Sequence, residues 1–171
     1  SRIEIYACGR RDIQAGSIDR RVLATLEFLA ASGLKPTVTS LYCGHSRLTT
    51  SGNVSEHSVG SAFDIAKVNG VPILDHQGEG SITDIAIQRL LTLQGTMKPH
   101  QISSLLTYQG ADNTPALPDH ADHIHVGFAP EYAPGSPGAK QLGAVLKPSQ
   151  WVKLIDRLGQ IDNPHVATTP S

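Results

Sequence analysis

The sequence predicts a single α+β domain, in which helices pack on one side of an antiparallel sheet of about four to six strands. Short runs of alternating or β-branched residues indicate the strands, and longer stretches with apolar residues at helical spacing indicate the helices. The 16 Gly and 11 Pro among 171 residues favour many loops over a helical bundle. We place the domain at residues 1–162 and expect 163–171 to be a flexible tail or linker.

Five segments are predicted to be strands on the basis of alternation and β-branched content. They are residues 3–8, 37–42, 62–66, 71–74 and 123–128. The dipeptide Asn69-Gly70 is a turn signal and predicts that 71–74 returns along 62–66. Residues 101–108 are compatible with a helix or a strand, and we favour a strand.

Three helices are predicted from apolar periodicity and from capping residues. Ser17 is the expected N-cap of a helix that ends at Ala31. Ser81 is the expected N-cap of a second helix that ends near Gly95. A last helix is predicted over 150–158.

Two cysteines occupy similar sequence settings. Cys8 and Cys43 each follow an apolar, strand-like run and precede Gly. If two adjacent strands ended together, the thiols would be within bridging distance, and a disulfide would imply an oxidising compartment. Two ordinary buried thiols explain the pattern equally well, so both interpretations stay open.

Charge and hydropathy exclude several classes of partner. The 14 Lys and Arg against 15 Asp and Glu give a formal charge of −1, which argues against a nucleic-acid or membrane-surface partner. No apolar run is long enough for a membrane span. The unusual feature is the eight histidines, of which His120, His123 and His125 fall within six residues. Histidine is the commonest metal ligand and the commonest general acid–base at neutral pH.

The histidines and one aspartate form a pattern suited to a metal. On a strand, His123 and His125 project from the same face, and that face would be costly to bury without a partner. An upstream segment offers His57 and Asp64, with Gly60 allowing the chain to turn between them. Two His and one Asp, with a fourth position left for water, are the donors of a catalytic zinc site. Each half alone is a weak signal, because a loop histidine or a solvent-facing polar strand would look the same.

The combined motif resembles a known family. The segment Ser55-x-His57-x-x-Gly60-x-Ala62-x-Asp64, followed by His120-x-Asp122-His123-x-His125, is similar to the zinc D-alanyl-D-alanine metallopeptidases. Lysostaphin-type peptidases and the hedgehog signalling domain belong to the same group. The resemblance implies a hedgehog-like or DD-peptidase-like fold with a zinc cleft on the open face of the sheet. It also implies that His57, Asp64 and His125 hold Zn²⁺.

The resemblance further implies a substrate and a place of action. The substrate would be a peptidoglycan stem peptide or cross-link, cut as a DD- or LD-carboxypeptidase or endopeptidase. The protein would then act outside the cell or in the cell envelope, after secretion or phage delivery. We expect a monomer, or a piece of a larger chain.

Catalytic roles follow from the same resemblance. Asp122 and His123 both stand at positions where relatives carry the base, and the sequence does not rank them. His120 is expected to face the cleft and to stabilise the oxyanion or the substrate carboxylate. The family usually has an Arg where this chain has Cys43; Arg47 or His45 takes over its role, or Arg47 is an ordinary solvated loop residue.

Two other functions remain to be weighed. One is a non-catalytic, zinc-bearing module for cell-wall binding or another interaction. Asp122 and His123 favour the enzyme over this module, because a structural zinc needs no additional base. The other is a cysteine peptidase that uses Cys43, which would leave the histidines unexplained.

Overall fold

A computed structural model describes residues 3–49, 52 and 54–129, together with 152, 153, 156 and 160. The strands are β1 (Glu4–Ile5), β2 (Pro36–Ser40), β3 (Ala62–Val68), β4 (Val71–Pro72), β5 (Gln101–Ser103) and β6 (Ile124–Gly127). The helices are α1 (Ala7–Gln14), α2 (Arg20–Ala31) and α3 (Ile82–Leu91), with short 3₁₀ helices at Glu56–Val59, Gly95–Met97 and Pro118–His120. The predicted α+β class is confirmed.

The strands of the described region form one sheet in the order β1-β2-β3-β6-β5, with β4 paired to β3. All pairs are antiparallel except β1 with β2, which run parallel. The prediction of an antiparallel sheet is therefore wrong at this edge. The chain leaves β1, passes through α1 and α2, and returns to β2 in the same direction, which is the long crossover that a parallel pair requires.

Alternation along β3 and β6 gives the sheet one apolar and one polar face. Phe63 lies opposite Val126, and Ile65 lies opposite Ile124; all four are buried. Because neighbouring residues of a strand point to opposite faces, the intervening pair of Asp64 and His125 projects from the other face. The sheet therefore separates the core from a polar surface.

Helices α2 and α3 cover the apolar face. They contact each other and pack on β2 and β3 respectively, and residues such as Leu26 and Leu90 belong to the same apolar cluster as Phe63. Ser81 caps α3 as predicted, because its Oγ accepts a hydrogen bond from the Asp84 N–H. The predicted Ser17 cap of α2 is wrong: the side chain of Asp19 accepts the capping hydrogen bond.

The N-terminal segment differs most from the prediction. The expected strand over 3–8 ends at Ile5, and Cys8 lies in the first turn of α1. Cys8 and Cys43 form a disulfide with their Cα atoms 6.2 Å apart. The bridge is confirmed, but it joins a helix to the segment after β2 and not two adjacent strand ends.

Several other segments are shorter than predicted or lie outside the described residues. Only Gln101–Ser103 of the segment 101–108 is a strand. Helix α3 ends at Leu91, before the predicted end near Gly95, and Gly95–Met97 forms a separate 3₁₀ turn. The predicted helix over 150–158 and the tail over 163–171 fall on residues that lie outside the described part, apart from positions 152, 153 and 156. No helix in the described part is long and apolar enough to cross a membrane.

Gly60 offers a test of how the turn before β3 is built. Gly60 and Gly16 share a left-handed φ of 72°, but a Cβ at position 60 would collide with the Ser17 carbonyl, whereas position 16 has nothing within 4 Å. We expect Gly16→Ala to lower the free energy of unfolding by about 1–2 kcal/mol, the cost of a left-handed Ala. Gly60→Ala should cost about 1–3 kcal/mol more, because the backbone must move. Urea unfolding of both variants measures the difference, and equal losses would contradict the close approach.

Candidate metal centre

Three donor atoms converge on the polar face of the sheet. The His57 Nε2 lies 3.2 Å from the Asp64 Oδ1 and 3.2 Å from the His125 Nδ1. The His125 Nδ1 lies 2.9 Å from the Asp64 Oδ1. The residues come from three different elements: a 3₁₀ helix, β3 and β6.

The tautomer of His57 is set by a backbone carbonyl. The His57 Nδ1 lies 2.6 Å from the Leu41 carbonyl oxygen. Since a carbonyl only accepts hydrogen bonds, Nδ1 carries the proton and Nε2 of the neutral ring keeps its lone pair. This lone pair faces Asp64 and His125, and the ring is 2% exposed.

His125 is held between two carboxylates. Its Nε2 lies 3.5 Å from the Glu56 Oε2, while its Nδ1 faces Asp64. Burial of the ring lowers its pKa, but hydrogen bonds to Asp64 and Glu56 outweigh this and raise the pKa to about 9. For Asp64 the directions are reversed, because burial raises the pKa of a carboxyl group. Hydrogen bonds from the surrounding histidines outweigh burial and bring the pKa of Asp64 below its ordinary value.

The three donors fit a small cation. In a tetrahedral zinc site with bonds of about 2.0–2.2 Å, neighbouring ligand atoms are about 3.3–3.6 Å apart, slightly more than the 2.9–3.2 Å between the three donors here. In the metal-free protein the lone pairs of His57 and Asp64 face each other at 3.2 Å in a buried location, which is unfavourable without a positive charge between them. A proton on His125 or a metal ion supplies that charge.

His45 lies beside this group. Donor atoms of His45, His57 and Asp64 are within 4.8 Å of one another, close enough to hold a metal ion. However, the His45 ring is stacked on His57 at 3.9 Å between centroids and 9° between planes. An ion in the plane of one ring lies outside the plane of the other, where no lone pair points. Ring geometry therefore favours His125 over His45 as the third donor.

Two Asp–His pairs stand next to the donors. The His123 Nδ1 lies 2.7 Å from the Asp122 Oδ1, and the His120 Nδ1 lies 2.8 Å from the Asp119 Oδ1. Each carboxylate accepts the Nδ1 proton and leaves the Nε2 of a neutral ring as a base. The two rings are 4.6 Å apart. Burial of the His120 ring lowers its pKa despite the hydrogen bond to Asp119.

An open cleft of about 740 Å³ contains these groups. Its lining includes the three donors together with His45, His120 and His123. Asp122 does not line the cleft; its side chain is largely exposed and its Oδ1 accepts a hydrogen bond from the His123 Nδ1.

Arg47 is a predicted site residue that lies outside the cleft. Its side chain is exposed and is not part of the cleft lining. Its backbone carbonyl accepts a hydrogen bond from the Ser55 N–H at 2.9 Å. Of the two proposed substitutes for the missing Arg, only His45 lies in the cleft.

Glu56 and His100 were not identified from the sequence as residues of this centre. Glu56 contacts His125, and its Oε1 also lies 2.9 Å from the His100 Nδ1. The only sequence signal for Glu56 is its position directly before His57. Which way that carboxylate turns depends on the 3₁₀ helix, and His100 is distant in sequence.

Comparisons with known proteins do not assign the chain to a family. No family model, no curated protein and no solved structure gives a significant match. The case for a metal centre therefore depends on the geometry of these residues and on the motif.

The raised pKa of His125 predicts how the metal-free protein responds to pH. Its folded value of about 9 lies above the ordinary 6.5, so the stabilisation is complete below pH 6.5 and is lost as the pH rises through 9. The carboxylates, whose pKa values are lowered, stay ionised throughout this window. Urea unfolding in chelator should therefore show stability falling from pH 6.5 to 9, and His125→Gln should flatten that fall. Identical slopes for both proteins would contradict the assignment.

Proposed function

We propose that this protein is a zinc-dependent peptidase that hydrolyses peptidoglycan stem peptides or cross-links. The observation that carries the proposal is the convergence of the His57 Nε2, the Asp64 Oδ1 and the His125 Nδ1 within 2.9–3.2 Å of one another. The motif that resembles the zinc D-alanyl-D-alanine metallopeptidases contains the same three residues. Donor geometry and motif thus support the same ligand set.

Zinc held by these residues would act as a Lewis acid toward a peptide carbonyl and would make a water molecule more acidic. The remaining tasks of peptide hydrolysis are to take a proton from the water and to deliver one to the leaving amine. Both require a side chain at the cleft that carries a lone pair and is not itself a ligand.

His123 is best suited to move the proton. Its Nδ1 donates to Asp122 at 2.7 Å, so its Nε2 is free to accept the proton of the attacking water and later to pass it to the amine. Asp122 holds the ring in this tautomer and stabilises the imidazolium that forms, in the manner of an Asp behind a catalytic His. In this proposal His123 is the base, and Asp122 orients it.

His120 and His45 are available to bind the substrate. His120 lines the cleft, and its ring lies 5.9 Å from His125. Because burial lowers the pKa of His120 and its Nδ1 donates to Asp119, the neutral ring presents Nε2 as an acceptor for a substrate N–H. Stabilising negative charge on the substrate would require a second proton on this ring. In this proposal His45, which is stacked on His57 and lines the cleft, takes the place of the Arg found in the family.

The disulfide supports a location outside the cytoplasm. Cys8–Cys43 would persist in an oxidising compartment, and peptidoglycan lies outside the cell membrane. We therefore propose that the protein acts in the cell envelope or extracellularly.

Digestion of purified peptidoglycan tests the proposed activity. The zinc-loaded full chain should release new amino termini or shortened muropeptides, which mass spectrometry identifies, and chelated protein should release none. The products also identify the bond that is cut. Zinc binding without any release would instead favour a non-catalytic, zinc-bearing cell-wall module.

Substitution of the Asp–His pair tests the proton transfer. His123→Gln should reduce kcat by about 100–10 000-fold, the usual contribution of a general base, with the zinc affinity unchanged. Asp122→Asn should have a smaller effect, because the His123 ring remains in the cleft. A larger loss for Asp122→Asn than for His123→Gln would mean that Asp122 itself takes the proton.

A further inference from the structure

Glu56 connects the metal centre to the far edge of the sheet. It begins the 3₁₀ helix that carries His57, and its side chain reaches His125 and Gly127 of β6. One carboxylate oxygen accepts from the His100 Nδ1 at 2.9 Å, and the other faces the His125 Nε2 at 3.5 Å. Its side chain is 15% exposed, so this is a largely buried carboxylate between two imidazoles.

Strand β6 leaves room for this carboxylate at Gly127. A Cβ added at Gly127 would collide with the Glu56 carboxylate. The φ of Gly127 lies outside the left-handed region, so the backbone conformation does not explain the absence of a side chain. The Glu56 carboxylate occupies the space that a side chain at position 127 would take.

The same segment also places His100. The His100 N–H donates to the Gly127 carbonyl at 2.9 Å, which brings the imidazole next to Glu56. Gly127 thus admits the carboxylate and anchors the residue that holds it. The backbone of β6 supplies both contacts, two residues after the proposed ligand His125.

We propose that Glu56 is a positioning residue for the proposed zinc ligand His125, and that His100 holds Glu56 in place. The inference rests on the proposed zinc site. By accepting the Nε2 proton, Glu56 selects the tautomer in which the Nδ1 lone pair faces Asp64 and His57. The negative charge of Glu56 also makes the His125 Nδ1 a stronger electron-pair donor to the metal, as carboxylates hydrogen-bonded to ligand histidines generally do.

Glu56 acts through the ring and is not itself a ligand in this arrangement. Its carboxylate faces the Nε2 of His125, whereas the other donors face the Nδ1. The loss of Glu56 should therefore weaken metal binding without removing a donor atom. This distinguishes it from His57, Asp64 and His125.

The test compares zinc dissociation constants of the full chain, measured by competition with a chromophoric chelator. Glu56→Gln should bind zinc about 10–100-fold more weakly than the unmutated protein. Glu79→Gln is the matched control, because Glu79 is exposed and outside the cleft lining; its affinity should not change. The visible spectrum of the Co²⁺-loaded protein should shift for Glu56→Gln alone, since a reoriented His125 alters the ligand field. Thermal unfolding in chelator shows that both variants are folded.

The outcomes separate this inference from the proposed function. If the unmutated chain binds no zinc, the proposed metal site is wrong and the inference falls with it. If the unmutated chain binds zinc and Glu56→Gln matches Glu79→Gln in affinity and Co²⁺ spectrum, only the positioning role is overturned. If Glu56→Gln is unfolded, His100→Ala replaces it: a weaker affinity supports the role, and an unchanged affinity overturns it.

Discussion

The antiparallel pairing of β3 with β6 places Asp64 directly opposite His125, and the rest of the polar centre is arranged around that pair. The same register places Phe63 opposite Val126 on the other face, so burial of the core and assembly of the donors are one constraint. A slip of one residue would move the charged side chains into the core. The hydrophobic effect therefore enforces the geometry of the polar face, although none of the donors belongs to the core.

The third donor depends on the packing of α1 and the segment after β2. The Leu41 carbonyl accepts from the His57 Nδ1, while the Leu41 N–H donates to the Tyr6 hydroxyl at 2.8 Å. Two residues later the chain is bonded to α1 through Cys43 and Cys8. A single peptide segment thus fixes the His57 tautomer, and the disulfide restricts the movement of that segment.

Sequence patterns predicted what depends on local periodicity. The alternation of Ile124, His125 and Val126 predicted the two faces of β6. The expectation that His57, Asp64 and His125 meet came from the resemblance of the combined motif to a known family, because the spacing of His57 and Asp64 alone is a weak signal. The pattern failed where tertiary contacts decide: residues 7–14 form a helix that packs through the disulfide, and the crossover that follows makes the first strand pair parallel. Glu56 and His100 were missed for a related reason, because their meeting depends on the 3₁₀ turn and on space left at Gly127.

A proton on His125 can supply the positive charge of the polar centre in place of a metal ion, and this affects how a metal would bind. With its pKa raised to about 9, His125 carries a positive charge at neutral pH. That charge lies between the carboxylates of Asp64 and Glu56 and next to the facing lone pairs of His57 and Asp64, which would otherwise need a metal cation. The fold has its own apolar core of side chains from the sheet, α2 and α3, so it does not require a metal in the way that a zinc finger does. A metal would have to displace the proton on Nδ1, and its affinity would rise with pH. Because the donors lie in an open cleft beside two oriented imidazoles, a metal held there would be accessible to a substrate, which is the arrangement that the proposed peptidase requires.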